Sequence, residues 1–545
     1  MGIKNRFASE EYVTNEINDV LEKLLITPQM YGAVGDGITD DTQAINTAIN
    51  NIPDGGMLYF PDGTYLVNET DSKVNNERIA INLKNRNNIT LLLSDKAILK
   101  LNTSNSAYYR VLYLSGCTNI TIKGGNIIGD SDNHVPEYNE DQSSIVNTHG
   151  YGIRMVESSN ITIDGVNISK CYGDPIVICS EATPYHGCQN VEIKNCKLHD
   201  SLRNGITVTS CQGLVVKDCE IYNITGALPM AGIDIEGEFE GAVNKDIFIE
   251  GCSIHDNGHQ SIAASLVCNN VNIKNCNLDL FTMSDDATDV VISDCTIKGL
   301  TYAKSNLIIK NCIITGLYVV GAKNLSVMSC IFIPTPDSNS NVNILEAETE
   351  TCRFIGCEFM SCKTQNKTFK NIRVHKQLEY IHFNSCIFHI ERYHETDAIG
   401  LGVNDYTKEA EFVNCTFVDT NESYDYQWLN FSCTHKILLS ECIFDASKLT
   451  NYNTGYSSLI KVGAAETIIV KGCTIKTAKT TPSTYGFHSN MDTVVGDVYY
   501  INNVMPMYES INAPTTANRL VVRGNIFSID EVDASALPSA EEASF

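Results

Sequence analysis

VEIKNCKL at Val191–Leu198 is followed by LVVKDCEI at Leu214–Ile221, IFIEGCSI at Ile247–Ile254 and VNIKNCNL at Val271–Leu278. Each is an alternating apolar run, then Asn, Asp or Gly, then Cys, then one more apolar position. The phrase extends upstream to ITIKGGNI from Ile120 and ITIDGVNI from Ile161. It extends downstream through Cys295, Cys312, Cys330, Cys357, Cys386, Cys415, Cys442 and Cys473 to Asn525. Its spacing drifts from 17 to 41 residues, which marks a structural repeat with loop insertions. Each copy buries its inward residues only by stacking on neighbours. The pattern therefore predicts an all-β solenoid, a single-stranded parallel β-helix of about sixteen coils.

Within VEIKNCKL, Val191 and Ile193 keep period two and the Asn195 turn resets the phase, so Cys196 and Leu198 also point inward. Stacked coils turn Cys196, Cys219, Cys252, Cys276, Cys295, Cys312 and Cys330 into one apolar ladder. A second series, Asn119, Asn160, Asn190, Asp246, Asn270, Asp289, Asn306 and Asn324, is expected just before the strands, because Asn and Asp tolerate left-handed turns and hydrogen-bond local backbone.

A net charge of −26 over 545 residues argues against nucleic acid and anionic membranes as partners. Most of the 21 Cys occupy the repeat slot, which favours packed free thiols over a disulfide framework. The first residues, MGIKNRFASEEYVTNEIN, contain no apolar signal-peptide core, and no run of apolar residues is long enough to cross a membrane.

Residues 1–28 contain a predicted helix over 9–26, with Val13, Ile17, Val20 and Leu24 as a short seam that serves either to dock on the solenoid or to trimerise. Residues 29–70 read as a cap, 71–480 as the β-helix with a groove, and 481–545 as terminal coils with an acidic tail. In the cap, Asp40 and Gln43 form an expected capping box, Ala44, Ile45, Ala48 and Ile49 an apolar face, and Met57–Phe60 and Tyr65–Val67 two strands. A helix here shields the open end of the solenoid.

The cap carries Tyr31-Gly32-Ala33-Val34-Gly35-Asp36-Gly37, Thr39-Asp40-Asp41-Thr42, Ala44-Ile45, Gly55-Gly56, Phe60-Pro61 and Gly63-Thr64-Tyr65. This closely resembles the pectate-lyase-like right-handed parallel β-helix superfamily, and the repeats carry the resemblance through roughly residues 30–530. The resemblance implies the fold. It also points to the branch of phage tailspike polysaccharide depolymerases, which are typically trimers acting on a bacterial capsular or cell-wall glycan, in a virion or extracellular setting. Polygalacturonase-like members use an Asp cluster and a His on the groove face, within GHG and RIK strings. Those strings are absent here, and Gly258-His259-Gln260 is only a partial echo.

Stacking the third strand of each coil places Ile153, Ile176, Ile206, Ile233 and Ile262 inward. It places Arg154, Val177, Thr207, Asp234 and Ala263 outward, with Cys179, Thr209, Glu236 and Ser265 two residues on. Asp234 and Glu236 then share a face at Cα separations of about 6.5–7 Å. Paired carboxylates on this scale suit glycoside hydrolysis, and their proximity raises one pKa as a general acid needs. The turns before these strands add Asp174, Arg203, Asn204, Asp256 and His259 as substrate-binding candidates. Tyr172 and Tyr222 are candidates to stack on sugars. Expanded loops at Asp130–Gly150, Glu181–Gly187 and Gly237–Asn244 are expected to wall the groove. Ser284-Asp285-Asp286 is a competing carboxylate pair. No metal or other cofactor is expected for a hydrolase. A polysaccharide lyase, the second reading, would use a cationic base, for which Arg203 is the candidate, and often Ca2+. A non-catalytic glycan-binding fibre is the third.

Overall fold

The computed structural model describes residues 25–71, 78–104, 106–141, 143–181, 187–237, 241–264, 268–283 and 287–303. Beyond these it describes 306–315, 317–320, 324–333, 343–346, 349–360, 373–374, 378–390, 407–419, 423–424, 429–433, 435–447, 451–452, 458–463, 465–477, 485–490, 496–505, 511–512 and 519–527. The predicted N-terminal helix, with its whole Val13–Leu24 seam, lies outside these residues, apart from the helix's last two positions, which form the strand Leu25–Ile26 instead. The chain divides into two compact units, Met1–Thr282 and Met283–Phe545.

In the first unit each full coil contributes three short strands to parallel sheets. Cys188–Lys194, Lys197–Ser201 and Asn204–Val208 form one coil. Cys211–Lys217, Glu220–Ile224 and Ala231–Ile235 form the next, paired to it in register strand by strand. The parallel β-helix expected from the repeat, right-handed as the resemblance implies, is the fold observed. The cap helix runs Thr42–Asn51, with Ile45, Ala48 and Ile49 buried and Ala44 half-buried. Its Asn46 amide donates to Ala80 O (2.7 Å) and its Asn46 Oδ1 accepts from Asn82 N (2.9 Å), tying helix to strand. The capping box is not formed. Asp40 accepts from Thr42 N at 3.0 Å, while Asp41, at the N-cap, turns its carboxylate away to Val34 N and Gly35 N (2.6 and 3.0 Å). The glycine-rich Tyr31–Gly37 segment needs those two bonds more than the helix needs a cap.

The Asn series adopts left-handed backbone at Asn119, Asn160, Asn190, Asp246, Asn270 and Asp289, with φ between 52° and 58°. These residues sit inside the strands, at a local bend, rather than ahead of them. Their side chains bond each other across coils: Asn119 to Asn88 at 2.8 Å, Asn160 to Asn119 at 2.9 Å, Asn190 to Asn160 at 3.0 Å. An amide carries both a donor and an acceptor, so it extends such a ladder in both directions.

All twenty described cysteines are free and buried. Most ladder thiols point at two carbonyls, one two residues back and one on the preceding coil. Cys219 Sγ lies 3.2 Å from Lys217 O and 3.6 Å from Ile193 O, and Cys276 Sγ 3.2 Å from Lys274 O and 3.6 Å from Ile249 O. Away from the ladder, burial alone pushes Cys211, Cys268 and Cys352 up to about 12. In the second unit Asn503 takes the thiol position, donating to Val470 O at 3.0 Å and accepting from Cys473 N at 2.8 Å.

The second unit fills its core differently. Phe332, Phe359, Phe388, Phe417 and Phe444 stack face to face at 4.7–4.9 Å centroid spacing, and Phe354, Phe383 and Phe412 form a parallel column at 5.0 and 4.8 Å. The spacing is that of neighbouring strands, so in-register pairing delivers stacked rings directly.

Two outcomes are expected. Native protein treated with a thiol alkylating agent should leave nearly all cysteines unmodified, with mass unchanged by reduction; several native disulfides would contradict the packing. Phe388→Ala, which removes the middle of the ring column, should destabilise by about 3–5 kcal/mol in denaturant unfolding.

Candidate functional site

The third strands of the first unit carry the expected register. Arg154 pairs with Val177, Val177 with Thr207, Thr207 with Asp234, and Asp234 with Ala263. The adjoining column, Ile153, Ile176, Ile206, Ile233 and Ile262, is fully buried. Asp234 faces away from that core, yet it is only 3% exposed, and Thr207 is 1% exposed. Neighbouring side chains cover this outer face. Glu236 lies one residue beyond the strand Ala231–Ile235 and is half-buried.

Asp174 anchors the group. It is fully buried and accepts four bonds: Arg203 Nε at 2.9 Å, Arg203 Nη2 at 2.5 Å, Asn204 N at 3.0 Å and Thr207 Oγ1 at 2.8 Å. Burial opposes the Arg203 charge, but the Asp174 carboxylate more than offsets it and holds the guanidinium pKa above its ordinary value. Asn204 links this pair to Asp234. Its amide nitrogen donates to Asp234 Oδ2 (3.1 Å) and Thr207 Oγ1 (3.0 Å), and its oxygen accepts from Ala231 N (3.1 Å).

Asp234 is pushed up to about 7. Burial is the largest cause, and the charges of Glu236 and Asp174 add to it; Arg203 and the Asn204 bond oppose it. Thr209 Oγ1 and Gln260 Oε1, both buried, have no hydrogen-bond partner among the described residues. Continuing the register puts Thr209 beside Glu236, and Gln260 beside Ala231, three residues before Asp234.

Asp174, Arg203, Asn204, Asp234 and Glu236 thus lie in one group. Four other candidates do not join them. Tyr172 is 1% exposed and its ring is covered by His134 at 3.6 Å centroid distance, so it offers no sugar platform. Its hydroxyl accepts from Glu137 N at 3.1 Å, and it anchors the 130–150 loop with His134 and Asp130. Asp256 is a turn residue with φ 53°; its carboxylate engages His255 at 2.8 Å. His259 bonds through its backbone N to Met230 O. Among the described hydrogen bonds, neither Asp256 nor His259 reaches the Asp174–Asp234 group. Tyr222, also considered for stacking, has both faces occupied by His199 and His255 at 4.9 and 5.6 Å. The competing Asp285 and Asp286 lie outside the described residues.

The structure adds residues the sequence did not single out. Tyr151 is sandwiched between Arg110 (4.2 Å from ring centroid to guanidinium carbon) and Arg203 (5.7 Å). Its hydroxyl lies 3.0 Å from His149 Nδ1. Burial and the two nearby arginines depress His149 to about 4, so it is neutral at physiological pH. Arg154 pairs with Glu181 at 2.7 Å. Register alone links Tyr151 to Arg110, and that link was available from the repeat; the Arg203 contact crosses coils through long side chains and was not. Among the described residues no group of three or more His, Cys, Asp or Glu comes together as a metal site.

Comparison with known proteins agrees with this architecture. A family model described as right handed beta helix region matches residues 127–282 and 185–333, and one described as rhamnogalacturonase A/epimerase, pectate lyase-like, matches residues 29–75. The fold is a right-handed β-helix, and the cap is similar to the pectate-lyase-like family model. Among curated relatives, the uncharacterized protein YclG of Bacillus subtilis is 31% identical over 261 residues, 46% of this chain and 44% of that protein. The SPbeta prophage-derived uncharacterized protein YorA of Bacillus subtilis is 30% identical over 276 residues, 46% of this chain and 45% of that protein. The preneck appendage protein of Bacillus phage PZA is 25% identical over 248 residues, 44% of this chain and 27% of that protein. These matches span less than half the length of the relatives. Among solved structures, the pre-mature bacteriophage phi29 gene product 12 aligns with a TM-score of 0.53 at 12% identity, over 94% of this chain and 75% of that chain, a likeness of fold.

The raised Asp234 sets a sign for stability. Its folded pKa near 7 exceeds the unfolded value near 3.8, so ionisation costs stability progressively as pH rises from the unfolded value through the folded one. Asp234→Asn should therefore melt higher than wild type at about pH 8, and the gain should shrink toward about pH 4. Equal melting temperatures across that range would show that the carboxylate is not held in this environment.

Proposed function

We propose that this β-helix is a polysaccharide depolymerase of phage or prophage origin, a glycoside hydrolase acting on a bacterial surface glycan. Asp234 serves as general acid, and Glu236 as the carboxylate that activates water or attacks the anomeric carbon. The observation that carries this reading is the asymmetry of the pair. Asp234, buried and facing Glu236 and Asp174, keeps its proton to about pH 7. Glu236, half-buried at the strand end, is the more accessible of the two. A proton held near operating pH on one carboxyl beside a second carboxylate is what protonation of a glycosidic oxygen requires. Kinship with a prophage-derived protein and phage appendage proteins supports a virion-associated setting, and assembly as a homotrimer of parallel chains belongs to the same reading.

The lyase reading loses its base. Arg203 is clamped by Asp174 through two bonds and its pKa is raised, the wrong direction for proton abstraction. The glycan-binding fibre stays the rival reading, favoured by the appendage relatives.

The test is release of reducing ends from a panel of bacterial capsular and wall polysaccharides. Asp234→Asn and Glu236→Gln should each lose about two or more orders of magnitude, while retaining glycan binding. Asp445→Asn, paired with Lys476 in the second unit, should cleave as wild type does. Both site variants cleaving at the wild-type rate would sink the hydrolase assignment, and binding without any cleavage by wild type would favour the fibre.

A further inference from the structure

The hydrogen bonds around Asp234 have a direction as well as a length. Backbone N–H and guanidinium N–H groups can only donate, and they set the sense of every other bond in the network. Ala231 N donates to Asn204 Oδ1 at 3.1 Å, so that end of the amide is its oxygen. The other end is therefore the NH2 group. Both of its hydrogens are engaged, one on Asp234 Oδ2 at 3.1 Å and one on Thr207 Oγ1 at 3.0 Å. Thr207 is fixed from its far side. Arg203 and the backbone N of Asn204 donate to Asp174, and the Thr207 hydroxyl gives its single hydrogen to Asp174 Oδ2 at 2.8 Å, which leaves only lone pairs for Asn204. Turning the Asn204 amide over would set its NH2 group against the Ala231 N–H and its oxygen against Asp234 Oδ2, and the bonds at both ends would be lost. Asn204 is buried, so a group left without its bond there bears the full cost of desolvation.

We propose that Asn204 is a positioning residue that holds Asp234 Oδ2 as a hydrogen-bond acceptor and so fixes the proton of Asp234 on Oδ1. The proton's place rests on the hydrogen bonds; its chemical consequence rests on the hydrolase reading above. A hydrogen on Oδ2 would crowd the Asn204 N–H at the same oxygen, whereas a hydrogen on Oδ1 leaves Oδ2 as the carbonyl oxygen, the stronger acceptor. Among the described hydrogen bonds, the Asn204 bond is the one that the Asp234 carboxyl makes. In the acid step the O–H bond at Oδ1 breaks and its electron pair stays on Asp234. The proton joins the glycosidic oxygen as that oxygen takes the electron pair of its bond to the anomeric carbon. The charge left on Asp234 is shared with Oδ2, where the Asn204 N–H bond becomes charge-assisted and strengthens. All the polar atoms of the Asn204 side chain are engaged in this network, so the residue serves the acid and not the sugar.

The experiment is infrared spectroscopy of the protonated Asp234 carboxyl in the full chain, each protein measured against the same protein carrying Asp234→Asn. In Asn204→Leu the C=O at Oδ2 loses its donor, so its stretching band should move to higher wavenumber. The titration midpoint should rise from near 7 by about one unit or more, because the ionised form loses a hydrogen bond. On a glycan that wild type cleaves, kcat should fall about tenfold or more with KM little changed, and the alkaline limb of the pH profile should move up with the infrared midpoint. Should Asn204→Leu fold poorly, Asn204→Asp keeps the oxygen that Ala231 N bonds and reverses the other end; its Asp234 band should move and its midpoint rise by about one unit or more. A band that keeps its position in these variants would overturn the placement on Oδ1, and an unchanged midpoint would reduce Asn204 to packing. The expected band and midpoint shifts in a protein that cleaves no glycan would uphold the proton's place and sink the hydrolase reading alone.

Discussion

Every feature of this protein depends on one constraint: each coil must hydrogen-bond to the next in register. A coil of three short strands has no core of its own, and its backbone groups find partners only above and below. Left-handed residues fix where the chain bends, and the Asn ladder, running Asn88, Asn119, Asn160, Asn190, bonds those bends to each other. A slip of one residue would turn the Ile153–Ile262 column outward and Asp234 into the core. Register is therefore fixed by burial on one face and by amide pairing on the edge.

The same stacking assembles the site. Asp174, Arg203 with Asn204, and Asp234 come from three successive coils, separated by about thirty residues each in sequence, and meet because equivalent positions pile up. Asp174 is buried with four donors, and so fixes Arg203 and Thr207; Asn204 passes that order to Asp234. The site's electrostatics follow from this architecture: a carboxyl held in a covered row, close to two other carboxylates and only partly compensated by one already-paired arginine. Substitution at Asn204 or Asp174 would act on Asp234 through position and charge.

The repeat made the fold legible before any coordinate. Periodicity, the Cys ladder and the Asn series predict stacked parallel strands, and the inward and outward columns of the third strand follow from counting alone. What counting could not give was burial on the outer face. Asp234 reads as exposed from its strand position and is covered in the structure, where the Asn204 amide of the preceding coil bonds to it. Tyr172 fails for the same reason: an aromatic in a turn reads as a platform until a loop histidine is found lying on it. Asp41 shows a related limit, since two adjacent aspartates at a helix start look alike in sequence, and the cap's glycine loop decides which one serves the helix.

The most direct test of the account is an infrared titration of Asp234, comparing wild type with Asp234→Asn in the protonated-carboxyl stretching region from about pH 3 to about pH 9. The account predicts a band present in wild type and missing from the variant, lost on titration with a midpoint near 7. A spectrum without that band, or a midpoint near the ordinary aspartate value of 3.8, would contradict it.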